Sequence, residues 1–291
     1  MLNTLRLIRT KQWTKNFMCF AGIIFSGEMY DLNHWFSSFY VFLSFCFTSS
    51  SIYVLNDIID KDADSFHPIK KHRPIPSGSI SIKSAIIIGL FTLFMGVTIS
   101  WMLSPNIFVI ILIYLINNIL YTIYFKKILL VDVFSISFGF ILRLISGIYV
   151  INDLPTPWII LCTMFLALFL GFSKRLAEKA SLSKMKGHMQ REVLSKYTKE
   201  SLISLVNETS FGSVLSYALF TTISENNPIM IITIPVVYYG ITYYKLSLFN
   251  GVMGEELEEV LLTDKKIQLC IALWLILMIS IIYINPILFL H

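Results

Sequence analysis

Charge is scarce in this sequence. Only 14% of its 291 residues are Asp, Glu, Lys or Arg, against 56% hydrophobic ones, and the mean hydropathy is +0.72. That balance excludes a soluble globule, which needs far more polar surface. Cysteine is scarce too: Cys19, Cys46, Cys162 and Cys270 stand singly within apolar segments, so neither a disulfide framework nor zinc-ligand spacing is present. No basic soluble domain exists to carry nucleic acid. No Cys–His or poised His arrangement suggests covalent catalysis; His67 and His72 lie in a loop without metal-ligand spacing. A small-residue cleavage site is missing after Arg6, Arg9, Lys11 and Lys15, so no cleavable signal peptide is expected.

What is abundant is apolar length. Runs of roughly 17–25 residues, enough to cross a bilayer as helix, recur throughout. Nine are expected, at about 17–30, 35–56, 83–103, 105–124, 129–151, 156–173, 205–225, 227–246 and 268–290; polar residues interrupt the first and the seventh. The 23 Lys and Arg residues fix an orientation. Nearly all fall at the N-terminus and in 57–82, 125–128, 174–204 and 245–267, whereas the intervening loops, such as Ser104-Pro105-Asn106 and Asn152-Asp153-Leu154-Pro155, have none. With nine spans and the N-terminus inside, every positive loop is cytoplasmic. The expected fold is an all-α multi-pass protein of the inner cell membrane. It forms one domain over 1–291, with cytoplasmic loops at about 57–82, 174–204 and 247–267. The net charge of +5 then belongs to one face and suits anionic headgroups and phosphorylated substrates.

The chemistry concentrates after the second run. The sequence there reads Asn56-Asp57-Ile58-Ile59-Asp60-Lys61-Asp62-Ala63-Asp64, followed by His67-Pro68-Ile69-Lys70-Lys71-His72-Arg73-Pro74. On a helix, Asp57, Asp60 and Asp64 project at about 100°, 40° and 80° from Asn56, one arc, with Asp62 on the other side. Like charges on one face repel unless a cation sits among them. Hard oxygen ligands with partial coordination suit Mg²⁺, which leaves positions open for phosphates. Asn56, Asp57, Asp60 and Asp64 are therefore the candidate metal and catalytic set, with Lys70, Lys71 and Arg73 beside them for the remaining phosphate charge. The alternative is a solvated acidic helix end.

That motif, at the end of the second of nine expected helices, resembles the UbiA-type intramembrane prenyltransferase superfamily. The resemblance implies an all-helical bundle around a cavity open to the cytoplasm, where Mg²⁺ holds a diphosphate on those four residues. Most members that prenylate aromatic acceptors carry a second Asp ladder after the sixth helix. Here the chain reads Gly171-Phe172-Ser173-Lys174-Arg175-Leu176-Ala177-Glu178 instead. Lys174, Arg175 and Glu178 fall on one helical face, suited to gripping phosphate directly. This segment is similar to the decaprenyl-phosphate phosphoribosyltransferase branch. So are Lys11-Gln12-Trp13-Thr14-Lys15-Asn16, the His67–Pro74 run, Tyr121 through Lys126-Lys127, and Phe140-Ile141-Leu142-Arg143. Where that branch has Arg in a later segment, this chain has Tyr243.

The resemblance implies Mg²⁺-dependent transfer of 5-phosphoribosyl from phosphoribosyl diphosphate to a polyprenyl phosphate, releasing diphosphate. Lys15, Asn16, Asn118, Tyr121, Lys126, Arg143, Lys174, Arg175 and Glu178 join the expected substrate contacts. Several keep a plainer alternative. Arg143 lies with Asp132, Ser135, Gly139, Ser146 and Gly147 on one face, which either packs helices closely or lines the site. Tyr114, Asn117, Asn118 and Tyr121 either tie helices together or touch substrate. Lys11 and Lys127 read as orientation signals, and Glu255–Glu259 as a solvated face. Two other functions stay open: prenyl transfer to a small acceptor, and transport.

Overall fold

The computed structural model describes residues 2–27, 29–66, 70–182, 192–223, 228–251, 260 and 263–284. Every regular element among them is helical. Seven helices are long and apolar enough to cross a membrane: Leu32–Ile59, Ile82–Leu103, Pro105–Ile123, Val131–Tyr149, Pro157–Ser181, Ile229–Phe249 and Lys265–Ile282. These correspond to seven of the nine expected runs. The seventh expected run is a helix, Lys199–Ile223, that is less apolar than the rest. Around the first, α1 (Leu2–Leu7) leads into a 3₁₀ stretch over Thr10–Phe20 and then α2 (Ala21–Phe25).

The chain divides into two compact units. The first comprises residues 1–23, 28–126 and 142–153. Its centre is α3 (Leu32–Ile59), started by Asp31, whose carboxylate accepts from the Asn33 amide at 2.8 Å. Against it packs α5 (Ile82–Leu103), where Gly96 lets the backbones meet and Ser44 Oγ donates to the Gly96 carbonyl at 2.7 Å. Ser104 caps α6 (Pro105–Ile123), so α5 and α6 join through a single residue. Tertiary bonds account for the 3₁₀ stretch. Trp13 Nε1 donates to Ser50 Oγ at 3.1 Å, Ser50 Oγ donates to the Ile8 carbonyl at 2.8 Å, and Asn16 is fully buried. The crossing with the end of α7 (Val131–Tyr149) is backbone to backbone, since a Cβ on Gly22 would strike the Gly147 carbonyl and one on Gly147 the Cys19 carbonyl.

α3 does not stop at its carboxylates. Asp60 takes φ −88° and ψ 5°, which bends the chain, yet its amide still bonds the Asn56 carbonyl at 2.9 Å. The Asp64 amide in turn bonds the Asp60 carbonyl at 2.8 Å, so α4 (Lys61–Ser65) continues past the bend. Beyond it, Lys70–His72 form a 3₁₀ turn and the chain folds back through Gly78 at φ +74°. Pro74, Pro76 and Gly78 break this loop, and no long helix forms there among the described residues. Ile75 is buried with Leu7, Val54 and Ala85. Burying one isoleucine contributes about 2 kcal/mol, enough to fix where the preceding Arg73 stands.

The second unit comprises residues 24–27, 127–141 and 154–291. α8 (Pro157–Leu182) packs along α10 (Lys199–Ile223), with Gly212 lying against the Phe165 ring. The short α9 (Glu192–Lys196) precedes α10, and α11 (Ile234–Phe249) and α12 (Lys265–Ile284) follow it. Phe169, Phe172 and Leu176 of α8 meet Val193, Tyr197, Leu202 and Tyr244 in one buried cluster.

Candidate active site

In the first unit the structure surrounds the acidic ladder with cations. Asp57 is 1% exposed and Asp64 is 5% exposed. Arg73 Nη1 donates to Asp57 Oδ1 at 3.2 Å and also to Asp64 Oδ2. Arg9 donates to the same Asp57 oxygen while its guanidinium lies 4.9 Å from the Tyr53 ring centre. Lys70 Nζ is 3.9 Å from Asp64 Oδ1. Asp60, partly open, has Lys126 Nζ at 2.9 and 3.2 Å from its two oxygens. Asn56 is half-buried at the end of α3, and Lys71 is exposed.

Sequence reasoning missed Arg9 as a partner of Asp57, because it reads only as one of four basic residues before an apolar run. What brings it there is a left-handed backbone, φ +51°, that turns the chain out of α1. No three His, Cys, Asp or Glu side chains among the described residues gather into a closed metal cage. The donor chemistry nonetheless fits Mg²⁺. Two carboxylates already meet at one cationic nitrogen, and Mg²⁺ takes one or two carboxylates plus substrate phosphates.

A second buried group in this unit is centred on Arg143, 5% exposed. Its Nε donates to Asn16 Oδ1 at 2.6 Å and its Nη2 to the Tyr114 hydroxyl at 2.7 Å. The guanidinium lies 4.7 Å from the Tyr114 ring centre and 5.4 Å from that of Phe45. Asn16 Nδ2 reaches Cys46 Sγ at 3.2 Å. Two of the expected contacts make bonds within their own segments. Lys15 Nζ donates to Gln12 Oε1 at 2.6 Å, and Asn118 Nδ2 to the Tyr114 carbonyl at 2.8 Å. Tyr121 is half-buried one helical turn further along α6.

In the second unit, the expected basic face of α8 divides by depth. Arg175 is 1% exposed; its Nε donates to Asp132 Oδ2 at 2.7 Å and its Nη1 to Glu178 Oε2 at 2.9 Å. Asp132 is fully buried, and its other oxygen accepts from the Tyr197 hydroxyl at 2.9 Å. Arg175, expected among the substrate contacts, thus bonds two carboxylates in this structure. Withdrawing one partner from such a buried pair costs about 3–5 kcal/mol. Lys174 is half-buried and makes no hydrogen bond or ion pair among the described residues. Burial, with the Asp132 charge beside it, pushes the Tyr197 hydroxyl well above the ordinary phenol value, so it stays a donor. No sequence signal pointed to Tyr197, a loop tyrosine 65 residues from the aspartate it bonds.

Further along, Tyr243 donates to Asp264 Oδ2 at 3.1 Å, and Lys266 Nζ lies 5.3 Å from the Tyr243 ring centre. His67 and Glu255–Glu259 lie outside the described residues.

Known proteins share the sequence pattern and the fold of this chain. The UbiA prenyltransferase family profile matches residues 17–250. A decaprenyl-phosphate phosphoribosyltransferase of Mycolicibacterium smegmatis is 29% identical, covering 93% of this chain and 89% of the relative. Another of that description, from Corynebacterium glutamicum, is 27% identical over 97% of this chain and 87% of its own. Among solved structures, a UbiA homolog from Archaeoglobus fulgidus bound to GPP and Mg²⁺ superimposes with a TM-score of 0.74. It covers 96% of this chain and 99% of that one at 20% identity, and so supports the fold. Transport is thereby set aside as a reading. A buried acidic ladder beside fixed cations, on an all-helical membrane framework of this kind, marks a membrane-embedded prenyl- or phosphoribosyl-transferring enzyme, and the chain belongs to the UbiA prenyltransferase family.

Proposed function

We propose that the enzyme transfers 5-phosphoribosyl from phosphoribosyl diphosphate to a polyprenyl phosphate and releases diphosphate. The observation that carries this reading is the pairing of Asp57 and Asp64 through Arg73, a place where one cation position is already shared by two carboxylates. The sequence similarity to decaprenyl-phosphate phosphoribosyltransferases along nearly the whole chain supports phosphoribosyl diphosphate as the donor. So does Lys174-Arg175-Leu176-Ala177-Glu178 in place of a second Asp ladder.

In this reading Asn56, Asp57, Asp60 and Asp64 would hold Mg²⁺ beside the diphosphate. Bound there, Mg²⁺ would offset the charge that builds on the departing diphosphate. Lys70, Lys71, Arg73 and Lys126 supply further positive charge to the same leaving group, where electrostatic stabilisation has most effect. As the bond from the anomeric carbon to the diphosphate oxygen breaks, its electron pair leaves with diphosphate. An oxygen of the acceptor phosphate forms the new bond to that carbon. The acceptor is already an anion near neutral pH, so no general base is needed. Lys174 holds the remaining phosphate, and Lys15, Asn16, Asn118, Tyr121 and Arg143 border the substrates or set that border.

The topology that goes with this is nine spans in a single domain of the inner cell membrane. The N-terminus and the active site both face the cytoplasm, as the distribution of Lys and Arg supports.

One observation favours prenyl transfer to a small acceptor instead: solved neighbours of this fold are described with GPP or DMAPP and Mg²⁺. One assay separates the two. Membranes holding the protein receive labelled phosphoribosyl diphosphate, polyprenyl phosphate and Mg²⁺, and a labelled lipid is expected. Product formed only from a prenyl diphosphate and an aromatic acceptor would replace the first reading with the second.

A further inference from the structure

We propose that Asp132 and Tyr197 are positioning residues, which act through Arg175 to hold Lys174 where it meets a substrate phosphate. The inference rests on the proposed function for that phosphate and for its contact with Lys174.

Two pieces of chain meet on the Asp132 carboxylate, and a third bonds one of them. Arg175 of α8 occupies one oxygen at 2.7 Å, and Tyr197, just after α9, occupies the other at 2.9 Å. The Tyr197 hydroxyl in turn accepts from the Leu130 amide at 2.9 Å, in the turn that precedes α7. Leu130 has φ +67°, an unfavourable value for a branched side chain, so this amide is held in place by its surroundings. Two lysines strap the same region. Lys179 donates to the Leu194 carbonyl at 3.1 Å and to that of Tyr197, and Lys196 donates to the Lys127 carbonyl at 2.9 Å.

Arg175, Tyr197, Lys179 and Lys196 all donate within this strap. If Arg175 swung to a phosphate, the buried Asp132 and the half-buried Glu178 would lose their ion-pair partner. Its role is to fix the rotation of α8 about its own axis. Lys174, the adjacent residue, follows that rotation rigidly, about 100° around the helix. Among the described residues of α8 it is the one cation that the strap does not consume. The strap therefore sets where its charge stands before substrate arrives, and preorganised charge is what phosphate binding rewards.

A double-mutant cycle on the full-length protein in lipid tests this. Lys174→Ala should raise the KM of either phosphoribosyl diphosphate or polyprenyl phosphate by about tenfold or more, with kcat little changed, as loss of a charge-assisted contact predicts. Tyr197→Phe and Asp132→Asn should raise that same KM, Asp132→Asn the more strongly. The double variant Lys174→Ala/Tyr197→Phe should match Lys174→Ala alone, because the strap then has nothing left to position. A KM that Lys174→Ala leaves unmoved overturns the proposal. So do strap variants that lower only thermal stability and kcat, or effects that multiply in the double variant. Should Asp132→Asn fail to fold, Tyr197→Phe retains both Arg175 ion pairs and carries the cycle by itself. If the wild type turns over only a prenyl diphosphate, the phosphoribosyl reading fails, yet the cycle read in the KM of that diphosphate still decides this proposal.

Discussion

Lys126 Nζ meets both carboxylate oxygens of Asp60, at 2.9 and 3.2 Å, across 66 residues of chain. The pair ties the end of α6 to the bend after α3, so the ladder is anchored on two helices. Lys126→Met should lower kcat/KM about tenfold, the range for a hydrogen bond to a charged group at a partly open site. Steady-state kinetics in lipid check it, and an unchanged kcat/KM would make this pair a structural tie only.

Asp57 is the most enclosed carboxylate of the ladder, and two guanidinium groups converge on one of its oxygens. Asp57→Ala should reduce Mg²⁺-dependent turnover by about a hundredfold or more, the scale seen when a group that stabilises developing charge is lost. Membrane insertion should be retained. Substantial remaining activity at saturating Mg²⁺ would refute the metal assignment.

Arg143 illustrates how a charge persists deep in an apolar helix. Replacing it by leucine strips donors from both Asn16 Oδ1 and the Tyr114 hydroxyl, whereas lysine restores a charge without the planar fork. Thermal melts in detergent should show Arg143→Leu destabilised by about 2–4 kcal/mol, with Arg143→Lys between it and the wild type. A wild-type melting temperature for the leucine variant would show that Arg143 acts on substrate instead.

Asp264 offers a pH test at the entry to α12. The Ile267 amide is the largest influence on its carboxyl, and with the Tyr243 hydroxyl and the Lys266 amide it holds the group below the usual carboxylate range. A depressed folded value means that the stabilisation is complete above the unfolded value and is lost as pH falls through the folded one. The first turn of α12 should therefore keep its amide protection at neutral pH and lose it only under strongly acidic conditions. Asp264→Asn should flatten that dependence. Hydrogen exchange at Ile267 measures both, and a pH-independent wild type would remove Asp264 from the cap.

Much of this protein was legible residue by residue. Seven of the nine expected spans came from apolar length alone, and Ser81 and Ser104 cap helices that begin where those runs begin. The acidic ladder was visible because period 3.6 places Asp57, Asp60 and Asp64 on one face. The 3₁₀ stretch over Thr10–Phe20, which leads into the first run, was not legible, because the bonds that hold it reach distant residues: Trp13 to Ser50 and Asn16 to Arg143. Arg175 read as a phosphate ligand because charge carries no record of its partner, and Asp132 lies 43 residues away.

The sequence by itself determined a helical membrane protein and the position of its carboxylates, since hydrocarbon thickness and helical period act locally along a chain. Only the tertiary structure decided which cation answers which carboxylate: Arg9 and Arg73 for Asp57, Lys126 for Asp60, Arg175 for Asp132. Such pairing depends on side chains tens of residues apart coming within about 3 Å, a distance set by packing and backbone turns rather than by spacing.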